Sequence, residues 1–162
     1  MCALVAVISA VAIPISLAGV DRSRGWAGAR YVAARLVRAR ALAVSRGAAV
    51  AVQFEGDDSQ TDLSSFADGN RNGVSSRDIA AGLDPRLDGP VRLSSLFPGV
   101  VTDFEANAPR LFSFSPDGTS TTGTVYLASR DGTRFAVRVL GTTARVRVER
   151  YVAPSGLWLE AY

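Results

Sequence analysis

From Cys2 to Val20 the chain carries no charged residue. At 1.5 Å per residue a helix of that length spans on the order of 28 Å, close to the hydrocarbon thickness of a bilayer. Such a run folds as a membrane helix, as a buried core helix, or as the apolar part of a cleavable signal. Ser16-Leu17-Ala18 offers a small-residue cleavage site, but no basic region precedes the run. Its length also exceeds the usual signal core of roughly 7 to 15 residues. The expectation is a retained single-pass helix over residues 1–20. Pro14 lies mid-run, where the missing N–H and the ring clash with the preceding turn predict a kink or a short melted turn.

Beyond Val20 the helical pattern continues. Trp26, Ala29, Ala33, Leu36, Val37, Ala41 and Val44 recur at helical spacing, and Arg30, Arg35, Arg38 and Arg46 fall mostly elsewhere, with Arg40 interrupting the stripe. Gly47 stands where a left-handed C-cap would close the element. The pattern predicts one rod of about 40 residues, roughly 60 Å long, with residues 1–20 in lipid and residues 21–47 amphipathic, seamed against the chain's own globular part. Its charge is lopsided: residues 1–50 hold seven arginines against Asp21 alone, whereas residues 51–162 hold 11 against 14 acids. Arg22, Arg24 and Arg30 flank the C-terminal end of the apolar run, which by the positive-inside rule would place that flank in the cytoplasm.

Residues 48–162 read as an antiparallel β head. Ala48–Phe54 is an apolar first strand. Residues 55–90 are rich in Gly, Asp and Ser and read as a loop excursion. Further strands are expected at Val91–Leu93, Val100–Phe104, Leu111–Phe114, Gly123–Ser129, Thr133–Leu140 and Thr143–Tyr151. Asp131-Gly132 and Gly141-Thr142 suit two-residue hairpin turns. A two-residue turn at 141 and 142 sets Val137 opposite Val146 and Phe135 opposite Val148 on the core face. It sets Arg138 opposite Arg145, and Arg134 opposite Glu149, on the other. The fold class is α+β: a long N-terminal helix packed on an antiparallel β-rich head.

The absence of His and Lys, with a single Cys and a single Met, removes serine triads, HExxH zinc sites, Walker lysines and Schiff bases. Lone Cys2 can form no intramolecular disulfide. General acid/base chemistry would fall to Asp57 with Asp58 or Asp103 with Glu105, on which nothing converges in sequence, so no enzyme and no small-molecule substrate is expected. Two binding patterns remain. Asp68-Gly69-Asn70-Arg71-Asn72-Gly73 begins like a calcium loop, with Asp68, Asn70 and Asn72 at alternate positions and Gly at the sixth, but its twelfth position is Ile79 and Asp78 falls one residue early. A structured Asx-rich turn fits the same residues. Residues 130–150 carry six arginines against Asp131 and Glu149, a local positive face in an otherwise acidic head.

In order along the chain, ALVAVISAVAIPISLAG, VAARLVRARALAVSRGAAVAVQF, FSFSPDGTSTTGTVYL and DGTRFAVRVLGTTARVRV resemble the type IV pilin-like family, and most closely the H-type minor pseudopilins of type II secretion and the FimT-like minor pilins. The resemblance implies an inner-membrane protein with a periplasmic or extracytoplasmic head, a non-enzymatic subunit of a short filament. Its partners would be other pilin or pseudopilin subunits, packed through the N-terminal helix. The family's cleavage-and-methylation motif, with Gly before the scissile bond, Phe after it and a Glu soon after, would lie upstream of Met1, so a preceding segment is expected. FimT-like pilins that bind DNA carry Gly-Arg-x-Arg near the C-terminus, and Ala144-Arg145-Val146-Arg147 is similar, with Ala in the place of Gly. On that alternative Arg145 and Arg147 contact phosphates from one strand face with Arg138 and Arg150 nearby, and binding is salt-sensitive. A secreted β-domain released from a signal peptide is the third reading.

Overall fold

The computed structural model describes the backbone of residues 2–161 and the side chains of residues 19–161. Helix α1 runs from Cys2 to Arg46, 45 residues, or about 68 Å at the usual rise. It is helical through Pro14, with no melted turn, and the Pro14 ring lies outside the described side chains. Gly47, at φ 62°, ends it in the left-handed conformation. Among the described residues no helix is long and apolar enough to cross a membrane. The run expected to do so, over residues 1–20, falls almost wholly outside the described side chains.

The head holds two antiparallel sheets. The first has the order β3-β2-β1-β5, formed by β1 (Val50–Glu55), β2 (Asp62–Ala67), β3 (Arg86–Arg92) and β5 (Leu111–Phe114). The second has the order β4-β6-β7-β8-β9, formed by β4 (Val101–Asp103), β6 (Gly123–Ala128), β7 (Arg134–Leu140), β8 (Arg145–Val152) and β9 (Leu157–Glu160). Short helices α2 (Ser76–Ala80) and α3 (Leu93–Leu96) interrupt the first half of the head. The sheets meet where buried Thr61 and Thr102 share a hydrogen bond of 2.5 Å and the Thr102 amide donates to the Asp58 carbonyl.

One core lies between α1 and both sheets. Ala29, Val32, Leu36, Ala39 and Ala43 face Val50, Val52, Phe54, Phe112, Phe114, Val125, Leu127, Phe135, Val137 and Val139. A smaller cluster, Ala51, Phe66 and Val74 with Ile79, covers the far face of β1. Burial on both faces is why Ala49-Val50-Ala51-Val52 is apolar throughout rather than alternating.

The inward stripe of α1 shares Ala29 and Leu36 with the expected one, with Trp26 and Ala33 packed beside it, and departs from it elsewhere. It is set by Gly25, Gly28, Ala29, Val32, Leu36, Ala39 and Ala43, whereas Val37 and Val44 are 52% and 56% exposed and Ala41 is also exposed. Small residues face the sheet because the backbones approach closely: a Cβ on Gly25 would lie 2.9 Å from the Phe135 ring and from Ser129. Hydrophobicity alone points to the larger valines on the opposite side.

The excursion over residues 55–90 is ordered. It supplies β2, which pairs with β1 from Glu55↔Asp62 to Val50↔Ala67, as well as α2 and most of β3. Asp88 ties it to α1, accepting hydrogen bonds from Arg35 (2.5 Å) and Arg38 (3.2 Å), while Arg35 also donates to Ser65. β2 and β9 were not expected, because Ser64-Ser65 and the short LWLE stretch carry little strand pattern of their own.

Candidate functional site

The β7–β8 hairpin carries the arginines singled out by the sequence, and its register differs from the expected one. The pairs are Val139↔Val146, Val137↔Val148, Arg138↔Arg147, Ala136↔Glu149 and Phe135↔Arg150. The connection is Gly141–Ala144 rather than two residues, with a turn closed by the Thr143 amide on the Leu140 carbonyl and Ala144 left-handed at φ 48°. Two added residues move the pairing by two positions, so the valines keep their face while each arginine changes partner. Gly141 is required for another reason: a Cβ there would lie 2.3 Å from the Thr122 hydroxyl and 2.8 Å from the Ser120 carbonyl. The loop at Asp131-Gly132 is also longer than two residues, with 130–132 between Ser129 and Thr133, Gly132 at φ 82° and the Ser129 amide donating to the Thr133 carbonyl.

Alternation therefore divides the four arginines between two faces. Arg138, Arg145 and Arg147 stand on the outer face, and Arg150 stands with Phe135 on the face that meets α1. Arg138 is committed: its Nε donates to Glu149 at 2.7 Å, and its guanidinium lies 5.8 Å from the Trp158 ring centroid. The Glu149 hydrogen bond and charge hold the Arg138 pKa above its ordinary value, against partial burial. Beside it Trp158 packs on Tyr126 and Tyr151, and Tyr126 donates to Glu105 at 2.8 Å. Burial, with that carboxylate, raises the Tyr126 phenol. The outer face is thus a mixed aromatic and ionic surface, not a continuous basic one. Arg145 is exposed, and the Arg147 Nε is buried with no hydrogen-bond partner.

The Asp68–Gly73 segment satisfies itself. The Asp68 carboxylate accepts from the amides of Asn70, Arg71 and Gly73, and Asn70 Oδ1 accepts from the Asn72 amide. Asn72 donates to Asp78. Asp78 in turn meets the N-cap of α2, with Ser75 Oγ accepting from the Asp78 amide and donating to its carboxylate. The Ser75 and Asn72 hydrogen bonds lower the Asp78 pKa. Asp78 comes one residue before a calcium loop's last ligand because it is the third residue of α2. Buried Asp84 accepts from the amides of Gly69 and Ser75, closing the loop at its base. Among the described residues no group of three or more His, Cys, Asp or Glu side chains is placed to hold a metal.

Asp57, set against Asp58 in the sequence, folds into the β1–β2 turn. It accepts from the Ser59 hydroxyl and amide and the Gln60 amide, which lower its pKa. The Asp58 carboxylate lies 4.0 Å from Arg110. Of the other pair, Glu105 accepts from Tyr126 and Asp103 is exposed at the end of β4.

A feature the sequence did not single out lies at the end of the head where α1 enters it. There a cleft of about 610 Å³ opens between α1 and the β8–β9 edge, walled by Trp26, Phe135 and Leu159, with Arg22, Arg150 and Glu160 around it. Trp26 packs on Phe135 at 5.9 Å, and Arg22 lies 3.6 Å from Asp131.

The arrangement matches known proteins at two levels. The fold is similar to that of the minor pseudopilin EpsH from the type 2 secretion system of Vibrio cholerae, with a TM-score of 0.56 at 16% identity over 77% of this chain and 95% of that one. No curated protein matches the chain in sequence. The profile of the type II transport protein GspH family matches residues 28–144, from the inner half of α1 through the β7–β8 turn. That span takes in most of the α1 seam, the whole first sheet, β4, β6 and β7 of the second and most of the core, and the chain belongs to the GspH family of type II transport proteins.

Proposed function

We propose that this protein is a minor pseudopilin built into the filament of a type II secretion system, anchored in the inner membrane by residues 2–20 with its head on the extracytoplasmic side. The observation that carries the reading is the split of α1. Its inward face begins at Gly25 and ends at Ala43, while Val37, Ala41 and Val44 stay exposed along the same helix. A helix that held only its own head would have no use for a second apolar stripe; a helix that also packs against sister subunits would. The uncharged run before Gly25 has the length of a membrane segment. The role is mechanical, and its partners are other pseudopilin subunits. The test is deletion of the gene, which is expected to abolish type II secretion. The full chain should restore it, and a chain lacking residues 2–20 should not. Unimpaired secretion in the deletion strain contradicts the reading.

DNA binding through Arg145 and Arg147 is the second reading, favoured by the exposure of Arg145 on the outer face that it shares with Arg147. It would proceed without Arg150, which faces the other way, and with Arg138 already paired. A mobility shift at low salt, lost in an Arg145→Ala, Arg147→Ala chain, supports it; no shift at low salt removes it.

A further inference from the structure

We infer that the cleft between α1 and the β8–β9 edge is a seat for the phosphate headgroup of an anionic phospholipid, a second membrane contact made by the head itself. The inference rests on the membrane anchoring proposed above, because that reading puts Gly19 at the bilayer surface.

Three observations converge on this end of the molecule. The first is position. The cleft is bounded by Gly19, Arg22, Ser23 and Trp26 of α1, the turns at the end of the uncharged run, which the anchoring places at the headgroup layer. The second is charge. Arg22 and Arg150 border both this cleft and the shallower hollow beside it. Arg150 is exposed and forms no ion pair among the described residues. Arg22 is 63% exposed and has only the long Asp131 contact. Glu160 also lines the cleft, so the lining carries two arginines against one carboxylate, with Asp131 3.6 Å from Arg22. A guanidinium suits a phosphodiester because its N–H groups match two of the phosphate oxygens.

The third is apolar surface. Trp26, Phe135 and Leu159 line the cleft with the two arginines, and Leu159 is 49% exposed. Tryptophan with arginine, beside exposed aliphatic residues, is the composition that settles at a membrane–water interface. The same contact gives Arg22, the first arginine after the apolar run, a role other than fixing orientation: at the outer surface it is held by lipid phosphate and by Asp131.

The test uses the full chain with Trp158→Phe, which leaves Trp26 as the single tryptophan. It is reconstituted into mixed vesicles of phosphatidylcholine and phosphatidylglycerol with bromine on one lipid or the other. The expected result is stronger quenching of Trp26 by brominated phosphatidylglycerol than by brominated phosphatidylcholine at equal mole fraction. Arg22→Gln and Arg150→Gln should each weaken that preference about fivefold. Native mass spectrometry of the unsubstituted chain released from the same lipids gives an independent readout, with retained phosphatidylglycerol expected. Equal quenching by the two lipids, in protein that floats with the vesicles, overturns the headgroup seat and leaves the anchoring intact. Failure to float with either vesicle overturns the anchoring and the seat together. A preference abolished by millimolar inorganic phosphate at constant ionic strength assigns the cleft to free phosphate and overturns the lipid assignment.

Discussion

The Asp88 carboxylate lies between two arginines of α1, and the nearer of them, Arg35, is only 10% exposed. Its removal would leave a nearly buried guanidinium without a counter-charge, a larger loss than the roughly 0–1 kcal/mol of a surface pair. Asp88→Ala is expected to cost about 2–3 kcal/mol, somewhat below the value for a fully buried pair because Asp88 itself is 35% exposed. The check is a lower urea midpoint with an unchanged slope for the full chain in detergent. Asp131 makes a pH-dependent contribution. Burial works against its charge, but hydrogen bonds from Ser129 and Thr133 and the charge of Arg22 outweigh it, and the pKa falls below 3.8. A carboxylate lowered on folding stabilises above its unfolded pKa, and that stability is lost as pH falls through the folded value. Between neutral pH and strong acid, an Asp131→Asn chain should therefore lose less stability than the parent below pH 3.8. Identical acid-unfolding curves would contradict the assignment. Neither contact could be read from the sequence, since Asp88 and Arg35 are 53 positions apart and the excursion's composition is that of a loop.

α1 was legible as an element but not in its rotation. Leu36 and Val37 are neighbours in sequence and about 100° apart around the axis. The sequence offers both as apolar, and close approach to the sheet decides between them: Leu36 is 0% exposed and Val37 is 52% exposed. Leu36→Ala is expected to destabilise the head by about 2–5 kcal/mol, and Val37→Ser to leave it within about 0.5 kcal/mol, both measured by chemical denaturation. Comparable losses at the two positions would mean that the helix sits differently on the sheet. The last hairpin repeats the lesson with opposite emphasis. Alternation in FAVRV and RVRV fixed which residues face the core, and this survived a two-position register error. Opposing pairs depend on turn length, which Ala144 in a left-handed conformation sets and no local signal announced. β2 was missed because Ser64 and Ser65 are buried with Leu63 and Phe66. Their strand character comes from being sandwiched between β1 and β3, not from side-chain pattern.

In the whole molecule, charge and apolar surface are distributed along one axis. The arginine-rich helix joins a head whose remaining residues are net acidic, and the two are sewn together by Arg35, Arg38 and Arg22 on Asp88 and Asp131. The inward stripe holds the subunit together, which leaves Val37, Ala41 and Val44 for contacts with others. The measurement that tests this division most directly is site-specific photo-cross-linking in cells, with the reactive residue placed in turn at Val37, Val44, Leu36 and Ala43. Positions 37 and 44 are expected to capture other pseudopilin subunits, and positions 36 and 43 to give no intersubunit product. Capture from the inward pair, or from none of the four while secretion proceeds, would contradict the account.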